Sequence, residues 1–228
     1  MKYRLVIFDL DGTLIDSLAD LGEAVNHAMR LAGFPEHSLQ EYRKMVGHGV
    51  RNLVMQALPP QFQADEPLID RCLASFKEYY TAHIDVHTRP YPGMVELLNE
   101  LHNAGVLLAV ASNKFQSGTE YLVSTLFPGI PFVAILGNRD GYPLKPDPEI
   151  VGEALRKAVA VFKQNGESIS VDTLRSHSVL VGDSLTDMKT AANGGVRGIA
   201  VSWGYRTLEP SADYILVTST EDLRHKLL

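Results

Sequence analysis

Asp9 and Asp11 stand two residues apart in the run Phe8-Asp9-Leu10-Asp11-Gly12-Thr13. Carboxylates at that spacing can divide a reaction between them: one attacks an electrophile while the other carries the proton. Further along, polar groups recur just after an apolar run or in the loop that follows one. These are Ser112 and Asn113, then Lys145 in Lys145-Pro146-Asp147-Pro148, then Asp183 and Asp187 in Gly182-Asp183-Ser184-Leu185-Thr186-Asp187. If the apolar runs are parallel strands, their carboxyl ends share one sheet edge, and groups far apart in sequence converge on one cleft.

The chemistry of such a cleft is coherent. Asp9, Asp11 and Asp183 would crowd three carboxylates, which is costly unless a cation sits among them or one keeps its proton. A partial set of hard oxygen ligands suits magnesium better than zinc. Lys145 adds positive charge and Ser112 a hydroxyl donor, so the site suits an anion with several oxygens. Phosphoryl transfer needs an in-line nucleophile, neutralised equatorial oxygens and a proton for the leaving group. Asp9 can attack phosphorus, Asp11 can protonate the leaving oxygen and then activate water, and magnesium with Lys145 can offset charge. Gly12 permits a tight turn after Asp11.

Plainer readings compete. Asp-x-Asp-Gly also occurs in calcium loops, but Thr13-Leu14-Ile15 lacks the later oxygens of such a loop. Ser112 could cap a helix. Lys145 could be a solvated lysine, although Pro146 and Pro148 stiffen its loop. Asp187 could merely stabilise a helix N-terminus. Gly47-His48-Gly49 could reach into the cleft or form a plain turn. Gly194, Gly195 and Gly198 follow a helix and make no dinucleotide fingerprint. His27, His83, His87 and His102 have no spaced partners and read as surface or packing residues.

The elements that must hold these groups are legible from hydropathy. Continuous apolar runs at Leu5–Phe8, Val106–Ala111, Phe132–Leu136, Val179–Val181, Ile199–Val201 and Tyr214–Val217 suit parallel strands covered on both faces. Helical stripes lie between them: Val95, Leu98 and Leu101 after Pro92-Gly93; Tyr121, Leu122 and Thr125; Ile150, Ala154, Leu155 and Ala158; Met188, Ala191 and Ala192. This alternation predicts an α/β fold, a doubly wound, Rossmann-like parallel sheet. After the first strand the pattern turns helical. Ser17 is expected to cap a helix with Asp20 as its capping-box partner. Val50, Leu53, Val54 and Ala57 make a second stripe; Leu68, Cys72, Phe76 and Tyr79 make a third. The expected division is an α/β core of residues 1–16 and 88–228 with an inserted all-helical cap of residues 17–87, hinged near Leu14–Ser17 and His87–Pro92. The polar stretch 161–178 reads as a surface excursion.

Composition narrows the partners. The chain has 228 residues, 45% of them apolar and 21% charged, which suits a globular protein with a real core. A net charge of −6 disfavours nucleic acid. The single cysteine, Cys72, can make neither an internal disulfide nor a cysteine-rich zinc site and reads as core. The apolar run after Lys2 and Arg4 is too short for a signal peptide, and no run approaches a membrane span. A cytoplasmic location, a small phosphorylated metabolite as partner and a monomer or homodimer are expected.

The chain resembles the haloacid dehalogenase superfamily, and within it the phosphoglycolate phosphatase-like group with a helical cap. The matching stretches are Phe8-Asp9-Leu10-Asp11-Gly12-Thr13-Leu14, Ser112-Asn113-Lys114, Lys145-Pro146-Asp147-Pro148 and Gly182-Asp183-Ser184-Leu185-Thr186-Asp187, in the family's order. Val46-Gly47-His48-Gly49-Val50, Thr88-Arg89-Pro90-Tyr91-Pro92-Gly93 and Trp203-Gly204-Tyr205-Arg206 resemble the narrower group. The resemblance implies Asp9 as nucleophile and Asp11 as acid/base, with magnesium on Asp9, the Asp11 carbonyl and Asp183. It also implies phosphate contacts from Ser112, Asn113 and Lys145, and Asp187 as a supporting carboxylate that holds metal-bound water or Lys145. Two rivals stand beside a phosphatase: a phosphomutase of the β-phosphoglucomutase type, whose cap must exclude water and hold a sugar phosphate, and a non-enzymatic phospho-receiver module, which needs neither a helical insert nor Asp11. A dehalogenase would have no use for Asp11 and a metal site.

Overall fold

The computed structural model describes residues 2–228. Six parallel strands form one sheet in the order β5-β4-β1-β6-β7-β8. They are β1 (Leu5–Phe8), β4 (Leu107–Phe115), β5 (Phe132–Asn138), β6 (Ser178–Gly182), β7 (Arg197–Val201) and β8 (Ile215–Val217). In β1 all four side chains are buried, because both faces of the sheet are covered. Val6 and Phe8 pack on one side with α5 (Met94–Asn103), α6 (Gln116–Leu126) and α10 (Thr220–Leu227). Leu5 and Ile7 face α7 (Glu149–Gln164), α8 (Val171–Ser176) and α9 (Leu185–Gly194). Each fully buried Leu, Ile or Phe contributes roughly 1.5–3 kcal/mol relative to exposure. The doubly wound sheet therefore stands as expected.

The central trio β4-β1-β6 decides where chemistry can occur. The chain leaves β1 for β4 and β5, then returns through α7 and α8 to β6 on the other flank of β1. That reversal of winding opens a crevice at the carboxyl ends of β1, β4 and β6.

Between β1 and β4 the chain builds α1 (Leu18–Ala32), α2 (Leu39–Met45), α3 (Val50–Ala57), a 3₁₀ turn at Pro60–Phe62 and α4 (Glu66–Ala82). Their apolar faces meet through Leu21, Val25, Tyr42, Leu53, Phe76 and Tyr80. Cys72 is buried there as a free thiol. The two connections to the sheet pair as a short antiparallel ribbon, β2 (Ile15–Asp16) against β3 (Arg89–Pro90).

Three local expectations are corrected. Ser17 makes no side-chain cap on α1; its hydroxyl donates to Asp11 instead. Asp20 is no capping-box partner, because its carboxylate accepts from His87 N, Thr88 N and Thr88 Oγ1 and so ties α1 to the second connection. Residues 161–178 are not a plain surface excursion: α7 runs on to Gln164 and α8 follows, with Phe162 and Leu174 buried on the sheet.

Candidate active site

Asp9 follows β1 directly, and its backbone N–H donates to Val181 O of β6 at 2.9 Å. Its carboxylate is buried and receives Lys145 Nζ at 2.7 Å. Lys145 comes from the loop between β5 and α7. Its ammonium also donates to Asp187 Oδ1 at 2.7 Å and to Ala111 O at 2.9 Å, so all three protons are used. Burial opposes this charge, but Asp187 and Asp9 more than offset it and hold the lysine's pKa above its usual value. The expected convergence of Asp9, Lys145 and Asp187 is thus observed.

Asp183 follows β6 and is wedged between two glycines. A Cβ on Gly12 would collide with its Oδ2, and a Cβ on Gly204 would collide with both its Cβ and its Oδ2. Gly12 also has φ +87°, so two constraints demand glycine there. Tyr205 N donates to Asp183 Oδ2 at 2.6 Å. Burial, then the charge of Asp187, raises the Asp183 pKa to about 7. Burial also raises Asp9 well above its usual value, against the pull of Lys145 and with Asp187 adding to the rise.

Asp9, Asp183 and Asp187 each offer an oxygen within 4.8 Å of the others. This differs from the expected crowding of Asp9, Asp11 and Asp183. The Asp11 carboxylate turns away to Ser17 Oγ and Lys114 Nζ, which lies 3.2 Å from both its oxygens. Asp187 is itself occupied, with Oδ1 on Lys145 and Oδ2 accepting from Ser184 N and Oγ in a capping box on α9. Its two competing sequence readings are both realised. Among the described residues Asp183 Oδ1 has no donor, and Asp9 Oδ2 has only the long contact from Thr13 Oγ1 at 3.5 Å. Two buried, raised carboxylates with hard oxygens to spare are a set that a divalent cation such as magnesium fits.

Strand β4 runs to Phe115, past its expected end at Ala111, with an irregular register against β5 between Ala111 and Phe115. The irregularity turns successive side chains toward the crevice. Ser112 lies inside the strand and caps no helix; its oxygen accepts Lys114 N at 3.2 Å, which leaves the hydroxyl proton free. The Asn113 amide bonds Lys145 N at 2.8 Å, Lys145 O at 3.3 Å and Gly47 O at 3.2 Å, so this side chain fixes the lysine loop and the 46–49 loop of the insert. Gly47-His48-Gly49 therefore does reach the site. Lys114, part of the matched run but given no role from sequence, is buried and also donates to Tyr80 Oη of α4 at 2.7 Å. Tyr205 is likewise given no role by the sequence: its hydroxyl accepts from Ser17 N at 2.7 Å, joining the Asp183 loop to the start of α1.

Asp9, Asp11, Ser112, Asn113, Lys114, Lys145, Asp183, Asp187 and Tyr205 line one cavity between the sheet edge and the helical insert. A family model described as haloacid dehalogenase-like hydrolase matches residues 6–201. The chain belongs to that family. Within these hydrolases it is 34% identical over 218 residues to the phosphoglycolate phosphatase of Mesorhizobium japonicum, covering 93% of this chain and 90% of that protein. It is 33% identical over 202 residues to the phosphoglycolate phosphatase of Agrobacterium fabrum, covering 88% and 81%. A crystal structure of a protein from Lactobacillus delbrueckii subsp. bulgaricus superposes with a TM-score of 0.82 at 30% identity, over 100% of this chain and 99% of that one. A predicted phosphoglycolate phosphatase from Haemophilus somnus superposes at 0.78 with 25% identity, over 99% of each chain. The fold and family resemblance read from the sequence are therefore correct, and the chain is a hydrolase. Among the described residues no helix is long and apolar enough to cross a membrane.

Proposed function

We propose that the protein is a magnesium-dependent phosphatase that hydrolyses a small phosphate monoester through a phospho-aspartyl intermediate on Asp9. The observation that carries this reading is the buried arrangement of Asp9 on Lys145 beside Asp183, with Ser112 and Asp11 opening on the same cavity. Asp9 would attack phosphorus and form an acyl phosphate while the ester oxygen leaves. Asp11 would give that oxygen its proton and later take one from the water that hydrolyses the acyl phosphate. Lys145 would hold the nucleophile in aim and supply positive charge beside it. The free proton of Ser112 would meet a phosphate oxygen. Asn113 would act by fixing Lys145 and Gly47, and Asp187 by fixing Lys145. Asp9, Asp183 and the Asp11 carbonyl would hold magnesium, which when bound supplies charge neutralisation for the phosphoryl oxygens.

Residues 17–87 would act as a cap on a core of residues 1–16 and 88–228, swinging on the β2–β3 ribbon. The curated relatives are named for phosphoglycolate, which makes that ester the first substrate to test. A phosphomutase must grip a sugar, yet the insert presents Leu21, Val46, Val50, Leu53 and two glycines to the cavity. None of those side chains can hydrogen-bond a hydroxyl, which favours hydrolysis over the mutase.

The test is steady-state hydrolysis of phosphoglycolate and p-nitrophenyl phosphate with magnesium. Asp9→Asn should abolish turnover, and a chelator should do the same reversibly. Full activity in either case would defeat the mechanism. Stable accumulation of phosphoprotein without turnover would favour the receiver module.

A further inference from the structure

Strand β7 ends at Val201, and the chain then passes against Asp183 on its way to β8. Residues 203–206 meet the sheet edge and the insert in turn. Trp203 Nε1 donates to Thr13 O at 3.2 Å and anchors the segment. Gly204 O accepts from Arg43 Nη2 at 3.0 Å. Tyr205 N donates to Asp183 Oδ2 at 2.6 Å. Arg206 Nη2 donates to Val46 O at 2.7 Å. Arg43 lies on α2 and Val46 just past its end, so hydrogen bonds cross this seam in both directions.

Two of these bonds share one peptide unit. The Gly204 carbonyl and the Tyr205 N–H belong to the same planar trans group and point apart. A rigid plane gripped at its oxygen cannot turn without moving its N–H. The grip comes from a guanidinium, so it also polarises the peptide and strengthens the bond that its N–H makes. The plane is closely packed as well: a Cβ on Gly204 would lie 2.2 Å from Asp183 Cβ and 2.4 Å from Gly12 O. Among the described residues Arg43 has no acceptor other than Gly204 O and enters no ion pair. At the far end of the relay, Asp183 Oδ2 is held by Tyr205 N while Oδ1 has no donor among the described residues. The peptide thereby fixes where Oδ1 points.

We propose that Arg43 is a positioning residue for Asp183: through the Gly204–Tyr205 peptide, seating of the insert aims the carboxylate oxygen that takes magnesium. The inference rests on the reading of Asp183 as a magnesium ligand. Coupling of this kind is reciprocal, so magnesium should in turn hold α2 against the sheet edge. Charge alone predicts the opposite sign. Arg43 places a positive charge one peptide away from Asp183, and by Coulomb's law its removal would tighten the binding of a cation.

Calorimetric titration of magnesium into the substrate-free protein separates the two. Arg43→Met keeps the stem and loses the donors, and should weaken magnesium binding about five- to tenfold. Arg43→Lys can still donate and should recover most of the loss. Arg30→Met removes an arginine of the same insert that pairs with Glu23 and Glu36, and should leave magnesium affinity unchanged. Hydrogen exchange of the unaltered protein gives a second readout that no substitution disturbs: magnesium should slow exchange of the α2 amides. Unchanged or tighter binding in Arg43→Met, an equal loss in Arg30→Met, or α2 exchange that ignores magnesium would overturn the coupling and leave the magnesium site standing. An unaltered protein that binds no magnesium would sink the magnesium reading and the coupling with it.

Discussion

Lys114 Nζ lies 3.2 Å from each carboxylate oxygen of Asp11, and the same ammonium donates to Tyr80 Oη at 2.7 Å. Asp11 and Lys114 belong to the sheet edge; Tyr80 belongs to α4 of the insert. One buried cation therefore ties the proposed proton carrier to the helices above it. Ser17, between β2 and α1, completes the hold by donating to Asp11 Oδ1. These contacts fix the direction of the Asp11 carboxylate and make it depend on the insert.

Removing the Lys114 charge should therefore weaken proton transfer more than substrate binding. Lys114→Met is expected to lower kcat by on the order of 10²-fold, the lower range of general acid–base effects. The loss should be larger for an alkyl phosphate, whose leaving oxygen needs a proton, than for p-nitrophenyl phosphate, whose leaving group is stable without one. A melting curve separates this from unfolding. An equal loss on both esters would contradict the assignment.

Gly204 offers a steric test of the proposed metal site. Its Cβ would meet Asp183 and the Gly12 carbonyl, neither of which has room to move. Gly204→Ala should displace Asp183, lower activity by on the order of 10²-fold and raise the magnesium requirement. Gly152→Ala in α7 is the contrast, because there the added methyl meets only the ends of two flexible side chains, Arg156 at 3.2 Å and Glu149 at 3.8 Å. It should leave activity intact and add up to about 1 kcal/mol of stability through helix propensity, read from denaturant midpoints.

What the sequence yields and what it withholds follow a physical line. Leu5–Phe8 and Val179–Val181 announce themselves because strands buried on both faces have no polar positions. Asp9 and Asp183 stand out because they sit where those runs stop, and Lys145 because prolines stiffen the loop that carries it. Lys114, Tyr205 and Asp20 do not, since their partners lie across the fold. Lys114 meets Tyr80 of the insert, Tyr205 meets Ser17, and Asp20 meets Thr88. No local period encodes such pairs. Ser17 misleads for the same reason: it has the local pattern of a cap, but Asp11 competes for its hydroxyl and wins. The length of β4 is hidden because Ser112, Asn113 and Lys114, polar residues that line the crevice, interrupt its apolar run before Phe115.

Asp20 makes a prediction about stability. It accepts two backbone amides and one hydroxyl, all close to the second hinge connection. Asp20→Ala would strip the acceptor from the buried amide and hydroxyl of Thr88 and from the His87 amide. The expected cost is about 1–3 kcal/mol, measured as a fall in the urea midpoint. Asp20→Asn, which keeps one oxygen acceptor, should lose less.

The raised acids set a pH window for magnesium. Without a cation, burial and then Asp187 hold Asp183 at about 7, against about 3.9 in an unfolded chain. Between those values the folded protein binds the extra proton, so this group's contribution to stability is full below about pH 4 and is lost as pH rises through 7. Magnesium must displace that proton, so its affinity should rise by up to about tenfold per pH unit toward 7 and level off above it. Melting curves with and without magnesium check this. The cation should raise Tm much more at pH 8 than at pH 5.5, and Asp183→Asn should remove most of the difference. A magnesium shift of the same size at both pH values would mean that Asp183 binds no metal.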